Sequence, residues 1–327
     1  MHNPSIKGVD GYHGIEPLPS DFEEFWEKRM AEADEIPLIY RIENAMISSP
    51  ATCKLEEIWF TGMRGSQLHV KYLRPALPQR DLPLVLQFHG YPNTSRSWFD
   101  LASFAGMGFA LLAYDCPGQG GPGWDTEGYA NPTVCGHIVM GLDGDPKDMY
   151  FVRNLQNIRV LCRIIRQLPG IDQERVFVNG ASQGGALTID CCALNPDLPR
   201  RAAVQFPGFG DFGRSWNTDE MGLGVVNPTF YGVHYYARWY DPTGENRKRY
   251  MKKLAYFDTA NFSHMVKCEM LFGTGLEDVT VPPITQYAVY NNLRCKKRHL
   301  VFPEYKHEEI QEFYDKIIQF FCGEAYR

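Results

Sequence analysis

A serine flanked by small residues is the most chemically informative feature of the chain. Ser182 lies at the centre of Gly180-Ala181-Ser182-Gln183-Gly184, after the apolar run Val176 to Val178 and before a helix-forming segment. The pattern predicts a strand, a sharp turn and a helix, the nucleophile elbow that exposes a serine Oγ above a sheet. Glycines are needed there because the elbow strains the backbone and brings helix and strand close together. The alternative is a glycine-rich loop with an ordinary serine.

A nucleophilic serine also requires a base and an acid that orients the base. In this topology the three residues follow the chain order Ser, Asp, His. The loop after a predicted strand, Glu269 to Phe272, offers Glu277 and Asp278. We choose Asp278 because it precedes the turn to a double proline, as the acid does in related enzymes. Of the nine histidines, His307 alone lies beyond this acid on the loop after the last predicted strand. We therefore expect His307 to take the Ser182 proton, while Glu277 remains an alternative acid.

The oxyanion of an acyl-transfer intermediate needs hydrogen-bond donors. In this topology they are backbone N–H groups of the residue after the serine and of the loop after the third strand, here Gln183 and Tyr91. Because backbone groups donate, a side-chain change at Gln183 should act more weakly than one at Ser182. His89 is expected to shape its loop by bonding nearby backbone, and His299 to point from the opposite end of its strand.

The elements before the elbow can also be predicted. Ser20 and Glu23 form a capping-box pattern at the start of a helix that runs to about Ala33. Its apolar residues recur every four positions and form one face: Phe22, Trp26 and Met30. The stretch Leu55 to Pro75 predicts an opening β-hairpin around a turn at Gly62 to Gly65.

The rest of the chain alternates between strands and helices. The predicted strands are Leu84 to Phe88, Ala110 to Tyr114, Val176 to Val178, Ala202 to Phe206, Glu269 to Phe272 and His299 to Phe302. The predicted helices are Trp98 to Met107, Met149 to Leu168 with one apolar face, the elbow helix, and Glu308 to Phe321 with Ile310, Phe313, Ile317 and Phe320 inward. Strands that are apolar throughout suit a parallel sheet covered on both faces.

This pattern predicts an α/β-hydrolase fold, with a mostly parallel sheet, helices on both faces and ligands at the carboxyl ends of the strands. Residues 1–327 are expected to form one domain, in which 1–80 are an N-terminal helix and hairpin extension. Residues 207–266 are too long for a simple crossover and predict an aromatic-rich insertion near the active site. Its aromatic side chains could roof a ligand pocket, although most of them are expected to pack against the core.

Composition excludes several classes of protein. The 33 basic and 39 acidic residues give a net charge of −6, which argues against a nucleic-acid partner. Residues 1–21 are polar and resemble neither a signal peptide nor a membrane span, so we expect a cytoplasmic protein without a membrane partner. The nine cysteines show no metal-ligand spacing and are expected to be reduced thiols. No metal or cofactor is expected.

Several motifs together resemble the acetyl xylan esterase and cephalosporin C deacetylase family, carbohydrate esterase family seven. They are His89-Gly90-Tyr91, Gly118-Gln119-Gly120-Gly121, Gly136-His137-Ile138, the elbow with Gln183 and Gly185, Gly275-Leu276-Glu277-Asp278 and His307-Glu308. The resemblance implies removal of acetyl groups from small acetylated sugars, especially xylo-oligosaccharides, and from cephalosporins. It also implies a homo-oligomer, a hexamer whose active sites face an inner cavity. One departure is Pro117, where the family usually has arginine.

Two other functions remain open. A serine peptidase of the prolyl oligopeptidase type uses the same catalytic topology, but only about eighty residues precede the third strand here, too few for the large propeller of those enzymes. A catalytically silent hydrolase fold could also serve only for binding, because a fold does not guarantee activity. The complete Ser182, Asp278 and His307 set favours an enzyme.

Overall fold

The computed structural model describes residues 9, 11–76, 81–126, 128–130, 136–215 and 231–325. Its strands are β1 (Tyr40–Asn44), β2 (Cys53–Thr61), β3 (Gln67–Pro75), β4 (Leu82–Phe88), β5 (Ala110–Tyr114), β6 (Ile171–Ala181), β7 (Arg201–Gln205), β8 (Glu269–Gly275) and β9 (Lys297–Phe302). Its helices are α1 (Phe22–Asp34), α2 (Trp98–Gly106), α3 (Tyr150–Ile165), α4 (Gln183–Leu194), α5 (Tyr231–Tyr240), α6 (Arg247–Leu254), α7 (Thr259–Phe262), α8 (Pro283–Asn292) and α9 (Gln311–Ala325).

The strands form one sheet in the order β1-β2-β3-β5-β4-β6-β7-β8-β9. The strands from β5 through β4 to β9 pair in parallel, whereas β1, β2, β3 and β5 pair antiparallel. The predicted hairpin is confirmed as β2 and β3, but it does not open the sheet because β1 pairs with β2. β1 was not predicted, although Tyr40 and Ile42 alternate with charged residues there; the strand is short, and four of its five residues are exposed.

Apolar residues cover both faces of the sheet, as predicted. Successive strand residues point to opposite faces, and the chain accordingly forms two separate apolar clusters. Leu86 belongs to the cluster that includes α1, α3 and α4, whereas Val85 belongs to the one that includes α2 and α9. The α/β-hydrolase fold with a mostly parallel sheet is therefore confirmed.

The start of α1 differs from the prediction. The helix begins at Phe22, so its N-cap is Asp21, whose side chain makes no capping hydrogen bond. The predicted Ser20 cap is wrong because Ser20 lies one position too early to reach the free N–H groups of the first turn. The apolar face is confirmed: Phe22, Trp26 and Met30 are buried. Burial of this face, and not capping, anchors the helix.

Two other helices correct the sequence interpretation. α3 is buried nearly all round and not on one face, because α1 packs against it in addition to the elbow helix. α9 begins at Gln311, three residues later than predicted, and buries Phe321 fully, whereas Phe320 is half-buried. The Phe320 ring lies beneath the Arg201 guanidinium, 4.6 Å from its centroid. Ile310, Phe313 and Ile317 are buried as expected.

The described part of the 207–266 insertion packs mainly inward. Its buried aromatic residues are Phe209, Phe212, Tyr236, Tyr250, Phe257 and Phe262. Trp239 and Tyr240 are exposed, and Trp216 and Phe230 lie outside the described residues. The expectation that most of these rings pack against the core is confirmed for the described ones. Where the insertion begins, Gly208 N donates to the Ser182 carbonyl at 2.9 Å, so this end lies against the elbow.

Candidate active site

The predicted elbow is present between β6 and α4. Ser182 has φ 57° and ψ −125°, a strained conformation for a residue with a side chain. A Cβ on Gly180 would lie 2.3 Å from the Gly184 carbonyl oxygen, and one on Gly184 would lie 2.2 Å from the Phe88 carbonyl oxygen. Both positions therefore require glycine, because helix, elbow and neighbouring strand approach so closely. The glycine-rich loop without this geometry is excluded.

The structure brings together the three residues that the sequence placed far apart. His307 Nε2 lies 3.1 Å from Ser182 Oγ, and His307 Nδ1 lies 2.8 Å from Asp278 Oδ2. The three follow β6, β8 and β9, whose carboxyl ends meet at one edge of the sheet. A carboxylate can only accept, so Nδ1 carries the proton and Nε2 presents its lone pair to the serine hydroxyl. This arrangement can activate a serine nucleophile.

Asp278 is held by more than the histidine. Its Oδ1 accepts from the backbone N–H groups of Thr280 at 2.9 Å and Val281 at 2.8 Å. Its Oδ2 also accepts from Gln286 Nε2 at 3.2 Å. Asp278 is buried, whereas Glu277, the alternative acid, is exposed. The geometry therefore favours Asp278. Gln286 was missed because it lies on α8, for which we made no prediction.

The two proposed oxyanion donors lie beside the elbow. Gln183 is the first residue of α4, where backbone N–H groups lack intrahelical partners and the helix dipole favours negative charge. Tyr91 follows β4, and its hydroxyl accepts from the His137 backbone N–H at 3.2 Å, which fixes its side chain. The roles of Gln183 and Tyr91 as donors to an oxyanion remain a prediction.

His89 shapes the loop after β4, as expected. Its Nδ1 donates to the Gly90 carbonyl at 2.8 Å, and its Nε2 accepts from the Cys116 backbone N–H at 3.0 Å. Burial lowers the pKa of His89, which favours the neutral ring that these two bonds require. His89 thus ties the ends of β4 and β5 together next to the elbow.

Comparison with known proteins identifies the family. A family model described as acetyl xylan esterase matches residues 1–324. The chain belongs to the acetyl xylan esterase family. Acetyl esterase Axe7A of Xylanibacter ruminicola is 24% identical over 306 residues, which are 90% of this chain and 64% of that protein. Dipeptidyl-peptidase 5 of Schizosaccharomyces pombe is 27% identical over 285 residues, 83% of this chain and 36% of that protein. The chain thus spans less than two thirds of either curated relative.

Two solved esterase structures match this chain over all or nearly all of its length. Acetyl xylan esterase 1 from Thermoanaerobacterium sp. JW/SL YS485 has a TM-score of 0.92 and 32% identity, covering 100% of both chains. An acetyl xylan esterase from Paenibacillus sp. R4 has a TM-score of 0.90 and 25% identity, covering 98% of this chain and 99% of that one. The described strands and helices of this chain therefore have the same arrangement as in these two esterases.

Pro117 lies where the resemblance led us to expect an arginine, and the structure shows what this position does here. The Pro117 carbonyl accepts from the Tyr150 hydroxyl at 2.7 Å, and that hydroxyl accepts from Gln119 Nε2 at 3.2 Å. A carbonyl is present in any residue, so proline keeps this contact while losing the charged pairing of an arginine. Sequence reasoning named Gln119 only as part of a motif and did not predict its contacts.

Two more features complete the description of this esterase-family site. His299 does not join it: its Nε2 lies 2.9 Å from Thr274 Oγ1, and burial, followed by the charge of Lys297, lowers its pKa to about 4. Among the described residues no group of side chains could hold a metal ion. Within the same described ranges, no helix is long and apolar enough to cross a membrane.

Proposed function

We propose that this chain is a serine esterase that removes acetyl groups from small acetylated carbohydrates, such as xylo-oligosaccharides, and from cephalosporin-type acetyl esters. The observation that carries the proposal is the continuous chain of hydrogen bonds from Ser182 through His307 to Asp278. The proposed partner is therefore a small acetylated molecule. Membership of the acetyl xylan esterase family supports this substrate class.

The reaction follows from the geometry. His307 Nε2 takes the proton as Ser182 Oγ attacks the acetyl carbonyl carbon, and Asp278 stabilises the resulting imidazolium. The oxyanion accepts from the Gln183 and Tyr91 backbone N–H groups. When the tetrahedral intermediate collapses, His307 returns the proton to the leaving sugar oxygen, and the acetyl group remains on Ser182. Water then hydrolyses this acyl-enzyme by the same steps.

The substrate names of relatives support acetyl esters over peptides. The two solved structures described above, which cover 100% and 98% of this chain, are acetyl xylan esterases. The dipeptidyl-peptidase relative matches over only 36% of its length. A binding protein without activity would not need Asp278 to be buried with four hydrogen-bond partners. Both alternative functions are therefore disfavoured.

The test combines a serine variant with a substrate panel. Ser182→Ala should abolish hydrolysis of 4-nitrophenyl acetate and labelling by a serine-directed phosphonate, while Ser103→Ala, at an exposed serine on α2, should keep both.

Wild-type enzyme should hydrolyse acetylated xylo-oligosaccharides and cephalosporin C but not proline peptides, and should lose kcat/KM steeply with butyrate and octanoate esters. Normal turnover by Ser182→Ala contradicts the nucleophile, and preference for long acyl chains or for polymeric acetylated xylan contradicts the substrate class.

A further inference from the structure

A cavity of about 340 Å³ adjoins the catalytic residues. Ser182 and His307 line it together with Arg96 and Glu309. Arg96 pairs with Glu309 and donates to the Tyr314 hydroxyl at 2.7 Å. Because the Arg96 and Glu309 side chains are 37% and 58% exposed, the cavity connects the catalytic pair to the protein surface. We call this cavity the sheet-side chamber.

The sheet-side chamber is separate from the described part of the insertion. Its walls are strands β4 to β7, the loops after β4 and β9, the elbow and helix α9. None of the described residues of 207–266 lines it. The walls of the chamber are therefore formed by the sheet, its loops and helix α9, and not by the described insertion residues.

Two buried amide side chains line the chamber without full hydrogen bonding. Asn179 on β6 is 3% exposed and Gln205 on β7 is 2% exposed. Among the described residues, Asn179 Oδ1 and Gln205 Oε1 have no hydrogen-bond partner. Gln205 Nε2 donates to the Glu308 carbonyl at 3.0 Å, next to His307. Buried polar atoms in folded proteins are nearly always bonded to protein or to ordered water, so these amides indicate a ligand with O–H or N–H donors.

Water is the donor that fits best. A site for one water needs only about 10–15 Å³, so the chamber can hold several. Gln87, on β4 beside Asn179 in the sheet register, adds a third amide to the same wall. Amides can both donate to and accept from water, and they are neutral, so they can order water without attracting a charged ligand.

We propose that the sheet-side chamber supplies the hydrolytic water, and that Asn179 positions it for attack. The inference rests on the proposed esterase function. After acyl transfer, the water oxygen forms a bond to the acyl carbonyl carbon while its proton passes to His307 Nε2. The bond from Ser182 Oγ to that carbon then breaks, Oγ regains the proton from His307, and the carboxylic acid leaves.

The decisive variant is Asn179→Leu, which is nearly isosteric and removes the amide. No hydrogen bond joins the Asn179 side chain to another described residue, so the substitution breaks no protein contact of that kind. The acyl-enzyme formed from 4-nitrophenyl acetate is quantified by rapid quench and mass spectrometry. Deacylation should slow roughly ten-fold, the effect of losing one hydrogen bond to the attacking water. Acylation should be unchanged, so kcat and KM fall together and kcat/KM stays constant.

Gln173→Leu is the matched control. Gln173 also lies on β6, its Nε2 donates to the Ile165 carbonyl at 3.0 Å, and its buried Oε1 lacks a partner among the described residues. It sits near the amino end of the strand, away from Ser182. Gln173→Leu should therefore leave both acylation and deacylation at the wild-type rates. If Asn179→Leu does not fold, Asn179→Val, with the β-branched side chain that strands favour, is expected to give the same selective loss.

Three outcomes overturn the inference. The first is that a folded Asn179 variant deacylates at the wild-type rate. Alternatively, kcat/KM for acetylated xylobiose falls while 4-nitrophenyl acetate is unaffected, which makes the chamber a leaving-group subsite. Finally, Gln173→Leu slows deacylation as much as Asn179→Leu, which makes the effect structural. Absence of both ester hydrolysis and phosphonate labelling in wild type is a different result, because it contradicts the proposed function itself.

Discussion

The side-chain amides of Gln119 and Gln183 bond to each other twice. Gln119 Nε2 donates to Gln183 Oε1 at 3.0 Å, and Gln183 Nε2 donates to Gln119 Oε1 at 2.9 Å. Both side chains are buried. Gln119 belongs to the loop after β5, and Gln183 begins α4. The pair therefore anchors the residue whose backbone N–H is proposed to bind the oxyanion.

The losses of stability caused by removing the two halves of this amide pair should not be additive. Gln119→Leu leaves the Gln183 amide buried without its partner, which costs about 1–3 kcal/mol of the free energy of unfolding. The double variant Gln119→Leu/Gln183→Leu removes both polar groups, so its loss should be smaller than the sum of the two single losses. Urea unfolding of the three variants measures this. Additive losses would show that the two amides do not act as a pair.

Asp278 and Glu277 can be separated by conservative substitutions. Asp278→Asn should lower kcat by about 10⁴-fold, because an amide no longer holds the required histidine tautomer. Glu277→Gln should remain close to wild type, since Glu277 is exposed. Both variants are compared with His307→Ala on 4-nitrophenyl acetate. If Glu277→Gln were as damaging as His307→Ala while Asp278→Asn stayed active, the assignment of the acid would be wrong.

Asp190, on the elbow helix, should make stability depend on pH. Burial raises the pKa of its carboxyl well above the ordinary value, so the folded chain keeps this proton to a higher pH than the unfolded chain does. The unfolded pKa of an aspartate is about 4, and below this pH the protonated Asp190 contributes its full stability. As the pH rises from there towards the folded pKa, the free energy of unfolding falls by about 1 kcal/mol per pH unit.

The variant Asp190→Asn cannot lose this proton. Its free energy of unfolding relative to wild type should therefore increase from pH 5 to pH 8, as measured by urea denaturation at each pH. Glu277→Gln, at an exposed carboxyl, serves as the control and should show no such change. A constant difference between Asp190→Asn and wild type across this range would contradict the effect of burial.

The oligomeric state is a separate prediction. Light scattering after gel filtration should give six times the chain mass of 37.4 kDa. Exposed apolar residues near the edge strand β1 support association, because such residues on a sheet edge are usually covered: Ile39, Ile42, Met46 and Ile47. A monomer across the accessible concentration range would remove the hexamer and its size-limiting inner cavity from the proposal.

Local signals in the sequence determined the elbow and most strands. Ser182 could be found because the strand, the small residues and the helix are contiguous, and each has a strong local preference. His307 could be chosen from chain order, and the acid narrowed to Glu277 or Asp278, since the topology of parallel strands fixes which loops meet. These inferences need no knowledge of how side chains pack.

Only the tertiary structure decided the contacts between distant residues. The Gln119–Gln183 pair joins residues 64 positions apart, and the chamber joins Asn179 and Gln205 through the register of neighbouring strands. The all-round burial of α3 arises because α1 packs against it, and β1 exists because β2 offers it an edge. Such features depend on sheet register and on which surfaces meet, and neither leaves a periodic pattern in the sequence.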